Sequence, residues 1–132
     1  MQRKPIISIA ITLLLISMGQ SVVVSRDALA SSCEDTESLS EMNKCAEDVY
    51  NTSETRLNEM YKTVKESLNY AEKSRFNKAH RKWKAFRELY CDFATYALRK
   101  EPGLPFHKND CLDRITKQYI ENLEKYMEDL DV

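Results

Sequence analysis

The sequence is poor in the residues that break helices. It has 132 residues with only two glycines and three prolines, and none of these lies between Ser31 and Glu101. A stretch of that length without Gly or Pro excludes a loop-rich or β-turn-rich fold and favours long helices. Histidine is equally scarce. His80 and His107 stand far apart, and no C-x-x-C occurs, so a zinc site is not indicated. No glycine-rich phosphate loop is present, nor a nucleophile with a base at useful spacing. The paired carboxylates Glu47/Asp48 and Asp129/Asp131 diverge on a helix. The chain therefore reads as a non-enzyme without a cofactor or a metal.

What is present begins with an unusual first thirty residues. Arg3 and Lys4 precede the apolar run PIISIAITLLLISM, and Ala28-Leu29-Ala30 supplies small residues before Ser31. A basic start, a short apolar run and a small-x-small site read as a secretory signal peptide. The expected division is residues 1–30 as the signal and 31–132 as one helical domain, periplasmic or secreted, with no stable membrane span after cleavage. The cysteines Cys33, Cys45, Cys91 and Cys111 all lie in that domain. An even number in a small exported chain reads as two disulfides. Spacing alone leaves all three pairings open.

Hydrophobic periodicity divides the domain into helices. Ser38-Leu39-Ser40-Glu41 has the form of a capping box. Met42, Cys45, Ala46, Val49, Leu57, Met60, Tyr61, Val64 and Leu68 then recur at three- and four-residue steps, interrupted by Ser53. Asn69 can end this helix and cap the next, which predicts a tight hairpin near residues 69–72. A second stripe runs through Phe76, Ala79, Trp83, Phe86, Tyr90, Phe93, Ala94 and Ala97. Pro102, Gly103 and Pro105 open a loop, KEPGLPFHKND, after which Asn109 or Asp110 caps a third helix carrying Leu112, Ile115, Tyr119, Leu123, Tyr126 and Leu130. The expected fold is all-α: an antiparallel three-helix bundle, a hairpin plus a third helix, with all four cysteines at the pole away from the hairpin turn.

These stripes assign Leu57, Tyr61, Trp83, Phe86 and Tyr90 to the core. Arg81, Lys82 and Lys84 become a wet outer face, which separates cations from aromatics and argues against nucleic-acid binding. Arg87, at the edge of its stripe, is expected to pair with Glu54 or Glu47. Asn58 is expected to bond across a helix interface, and both histidines to lie at the surface. Charge is segregated. Residues 31–66 hold 4 basic and 9 acidic side chains, 72–100 hold 9 and 3, and 104–132 hold 4 and 7. Such blocks let neighbouring helices attract one another, or steer a charged partner.

The ordered set Cys33, Met42-Asn43-x-Cys45, Leu57-Asn58-x-x-Tyr61, Ala79-x-x-x-Trp83-x-x-Phe86-Arg87-x-x-x-Cys91, Cys111-Leu112 and Thr116 resembles the LprI-like lysozyme-inhibitor family of small exported bacterial proteins. His80, Glu54 and Tyr119 depart from that pattern, where glutamine, aspartate and arginine are common. The resemblance implies pairing of Cys33 with Cys45 and of Cys91 with Cys111, since shorter relatives keep only the first two. It also implies a protein partner, lysozyme, blocked without chemistry. On that reading Lys100, Phe106, His107 and Lys108, in the proline-stiffened loop, are the candidate partner-binding residues. Two other functions compete with inhibition. One is an envelope adaptor that binds another exported protein through a helical face. The other is a membrane-surface protein that uses the basic second helix.

Overall fold

The computed structural model describes residues 33–130. The expected signal segment, residues 1–30, lies outside them. Three helices run Leu39–Ser67 (α1), Tyr70–Ala94 (α2) and Leu104–Leu130 (α3), with a short 3₁₀ turn at Tyr96–Leu98. No strand occurs among the described residues. Asn43 meets Phe106 near the start of α1 and α3, and Ser67 meets Met127 near their ends, so these two helices are parallel. α2 runs against both, since Tyr61 bonds Asn77 and Glu54 bonds Arg87. The all-α three-helix bundle is as the sequence predicts.

Local chemistry explains the helix ends. The Ser38 hydroxyl accepts from the Glu41 amide at 3.2 Å and donates to the Glu41 carboxylate at 3.0 Å. The hairpin turn is tighter than residues 69–72. Only Leu68 and Asn69 separate α1 from α2, and Asn69 with Glu72 forms a complete capping box. The Glu72 amide donates to Asn69 Oδ1 at 3.1 Å, and the Asn69 amide to Glu72 Oε2 at 2.9 Å.

At the other pole the expected loop is largely helix. α3 starts at Leu104, so Asn109 and Asp110 lie inside it and cap nothing. Pro105 falls in the first turn, where a missing N–H costs no helical bond. Asn43 caps this end from another helix: its Oδ1 accepts from the Phe106 amide at 3.0 Å. An orphan donor of the first turn is thereby satisfied across the bundle.

α1 and α3 pack directly on one another. Leu57, Val64 and Ile120 are fully buried, with Leu68 and Leu123 beside them. Each such side chain contributes about 1.5–3 kcal/mol by leaving water. Ser53 sits buried in this seam, its hydroxyl donating to the Tyr50 carbonyl at 2.9 Å. The disulfides are Cys33–Cys45 and Cys91–Cys111, with Cα separations of 5.6 and 5.7 Å. This is the pairing that the resemblance implied. The first pins the N-terminal arm to α1, and the second ties the end of α2 to the start of α3.

α2 is rotated from the expected phase. Its inward residues are His80, Arg87 and Cys91, with Trp83 and Lys84 half-buried between them. Phe86 is 57% exposed, Tyr90 37% and Phe93 78%, so Phe86 and Tyr90 are not core residues. The Cys91–Cys111 bond sets this phase. Once Cys91 faces inward, positions 87, 84 and 80 follow it on one helical line, and 86, 89 and 93 turn outward.

Candidate functional site

Two regions of the molecule hold chemistry-bearing side chains. The first is the seam between α2 and the α1/α3 pair. Arg87, only 2% exposed, is its centre. Its guanidinium donates to Glu54 Oε2 at 2.5 Å and to Thr116 Oγ1 at 2.8 Å, then to the Tyr50 hydroxyl at 3.0 Å and Glu88 at 3.1 Å. The Thr116 hydroxyl in turn donates a hydrogen bond to the Leu112 carbonyl at 2.7 Å. Tyr50 donates to Glu54 Oε2 at 3.3 Å, and Lys84 to Glu54 Oε1 at 2.7 Å. The Arg87–Glu54 pairing follows the sequence expectation. Lys84 departs from it: instead of forming wet surface, it is the second cation on the same carboxylate.

Electrostatics bind this seam together. Desolvation alone would raise the Glu54 pKa, but hydrogen bonds from Lys84 and Arg87 outweigh it and hold the carboxyl below its ordinary 4.5. Burial pushes the Tyr50 hydroxyl up to about 12, with Arg87 opposing and Glu54 adding to the rise. Glu54 is committed to two cations, so it is not poised as a base. Arg87 also lies over the rings of Trp83 and Tyr50, at 5.1 and 5.4 Å. The seam orders three helices around one guanidinium.

Farther toward the hairpin, rings replace charges. Trp83 stacks on Tyr119 at 4.0 Å, and His80 lies 4.4 Å from Tyr61 and 5.8 Å from Tyr119. His80 is therefore an interior residue, not a surface one. Burial lowers its pKa below 6.5, and Lys84 adds to the effect. Trp83 is half-buried against the Leu57 cluster, Leu57 lies wholly inside it, and Tyr61 is half-buried against the rings of Phe76 and His80. Asn58 is exposed. The cross-helix bond expected of it is made instead by Asn43 and by Asn77, whose Oδ1 accepts from the Tyr61 hydroxyl at 2.5 Å.

The second region is the corner that follows α2. Its four candidate residues do not form one projecting patch. Phe106 is 7% exposed and packs with Cys33 and Ala46. It is a bundle-capping side chain and not a contact residue, because Pro105 and Asn43 turn this segment into the first turn of α3. Lys108 pairs with Asp92 at 2.6 Å, tying α3 to α2. Lys100 and His107 are exposed. Beside the corner runs a groove of about 1080 Å³, lined by α1 from Ser40 to Glu59 and by Lys117 and Ile120 of α3. Its rim is of mixed charge, with Glu41, Asp48 and Glu59 set among Lys44, Arg56 and Lys117. Sequence periodicity could not find this groove, which depends on how two helices diverge.

With this geometry in view, comparison with known families is decisive. The family model described as "Lysozyme inhibitor LprI" matches residues 30–123. The chain belongs to the lysozyme inhibitor LprI family. Neither the comparison with curated proteins nor that with solved structures finds a match. Most residues that carried the resemblance are interior to the family frame seen here. Arg87, Thr116 and the Cys91–Cys111 bond join helices, Cys33–Cys45 pins the N-terminal arm to α1, Asn43 caps α3, and Trp83 stacks on Tyr119. Ala79, Phe86 and Asn58 face solvent instead. The family signature is thus mainly a description of a fold. No described helix is long and apolar enough to cross a membrane.

Proposed function

We propose that this protein is exported, loses residues 1–30, and binds lysozyme, blocking its cleft without chemistry. The observation that carries this reading is the family match over residues 30–123. The physical features agree with it. Lysozyme works with two carboxyl groups in a cleft, and an inhibitor need only present donors or cations to them on a rigid support. Lys100 and His107 are exposed at the disulfide-tied corner. The acidic α1 and α3 surfaces attract a basic lysozyme and orient it. The test is cell-wall lysis by several lysozymes in the presence of the purified chain from Ser31 onward. Inhibition that weakens in Lys100→Ala/His107→Ala supports the reading. Undisturbed lysis at micromolar excess of the protein overturns it.

The groove between α1 and α3 favours a second reading. An apolar floor between walls of mixed charge suits a helix or extended segment of another exported protein, which would make the molecule an envelope adaptor. Thr52→Arg, which fills the groove, separates the two. It abolishes adaptor binding and leaves lysozyme inhibition from the corner intact.

A further inference from the structure

The outer face of α2 carries a pattern that neither the family assignment nor the lysozyme reading uses. Phe86, Leu89, Phe93 and Tyr96 are 57%, 70%, 78% and 63% exposed. Phe86, Leu89 and Phe93 fall at three- and four-residue steps on one face of α2, with Tyr96 following in the 3₁₀ turn, and exposed apolar residues grouped in this way mark interaction sites. The ridge is flanked at both ends by cations. Arg75, Lys78 and Lys82 share its helical line toward the hairpin, and all three are exposed or nearly so. None of them makes an ion pair among the described residues. At the far end stand Arg99, whose guanidinium lies 4.4 Å over the Tyr96 ring, and Lys100.

We infer that the outer face of α2 is a docking surface for an anionic phospholipid bilayer, which the molecule meets side-on with α2 parallel to the membrane plane. Charge complementarity selects this occupant. A second copy would set one cationic rim against another, and a basic lysozyme would be repelled for the same reason. Shape points the same way. The face is a convex ridge along a straight helix, whereas the main concavities are lined by α1 and α3. A planar surface can meet the α2 line from Arg75 to Phe93 at once, about 27 Å at helical rise. Aromatic and leucine side chains then enter the interface, and lysines and arginines remain at headgroup level. The inference does not depend on lysozyme binding. It would leave the α1/α3 groove facing away from the membrane.

The test is flotation of the chain from Ser31 onward with phosphatidylcholine vesicles, with and without phosphatidylglycerol. This chain contains every described residue and both disulfides, and it lacks the apolar run that would itself bind lipid. Flotation with the anionic vesicles and weak flotation with the neutral ones is expected. Phe86→Gln, Leu89→Gln and Phe93→Gln each reduce partitioning about tenfold. Lys78→Glu and Lys82→Glu reduce it about fivefold or more each. All five positions are solvent-facing, so circular dichroism and unfolding midpoints should match the parent. Absence of flotation with anionic vesicles overturns the inference, as does flotation undiminished by the glutamine substitutions. A dimer in sedimentation that Phe93→Gln dissolves reassigns the face to a second copy. Loss of lysozyme inhibition in the same variants reassigns it to lysozyme. A failure of lysozyme inhibition by the parent protein, with flotation intact, leaves this inference standing and removes only the proposed function.

Discussion

The two faces of α2 invert the usual rule for helices. The inner face carries His80, Lys84, Arg87 and Cys91 beside the half-buried rings of Phe76 and Trp83, and the outer face carries Phe86, Leu89 and Phe93. Elsewhere in the bundle apolar residues point inward, as in the Leu57–Val64–Ile120 cluster between α1 and α3. The difference lies in what each face meets. α1 and α3 meet through aliphatic side chains at that cluster. α2 meets a polar seam of Glu54, Tyr50 and Thr116, which long hydrogen-bonding side chains bridge. A hydrophobic stripe is therefore a prediction of burial only when the facing surface is apolar too.

The comparison can be broken most strongly at its centre. Arg87→Ala leaves Glu54 with one cation and opens a void, and should cost about 4 kcal/mol in urea unfolding. A loss below 1 kcal/mol would show that the seam is decorative. Next comes the bond that sets the phase of α2. Cys91→Ser/Cys111→Ser should cost about 3 kcal/mol for a closed loop of this length, with Phe86 and Tyr90 gaining freedom to turn inward. Protection of the two rings from solvent in that variant, followed by hydrogen exchange or fluorescence quenching, reads this out.

A smaller effect is pH-dependent. The folded state keeps the His80 pKa below 6.5, so folding favours the neutral ring. That stability is complete above pH 6.5 and is lost as pH falls through the folded value. Glu54, held below 4.5, adds a second loss on the acid side of that value. The unfolding midpoint should fall on acidification from pH 7, and His80→Gln should flatten the first part of the fall. The smallest effect is expected outside. Phe86→Gln/Leu89→Gln/Phe93→Gln should change stability by no more than about 1 kcal/mol in all.

Much of the architecture was legible in the residues. Absence of Gly and Pro, the Asn69 cap and the first and third stripes place the helices and the pole at which the cysteines gather. The disulfide pairing came from the resemblance and not from spacing. The phase of α2 differs from the expected one because aromatic residues do not mark its inward side. Cys91 was the better marker, since a disulfide fixes direction and hydrophobicity only favours it. The start of α3 differs from expectation for a related reason. Prolines signalled a loop, but Pro105 sits in a first turn whose orphan amide is capped by Asn43, more than sixty residues away in sequence. The candidate contact residues suffered in consequence. Phe106 went inside with that turn, Lys108 was taken by Asp92, and only Lys100 and His107 remain free to meet a partner.

The most direct test of the inverted helix is equilibrium urea unfolding followed by the fluorescence of Trp83, the chain's single tryptophan. This ring stacks on Tyr119 beneath Arg87 and so reports the seam itself. The midpoint of Arg87→Ala should fall sharply, while that of the outer triple glutamine variant stays near the parent. The reverse order, a stable Arg87→Ala and a collapsed outer variant, would contradict the account.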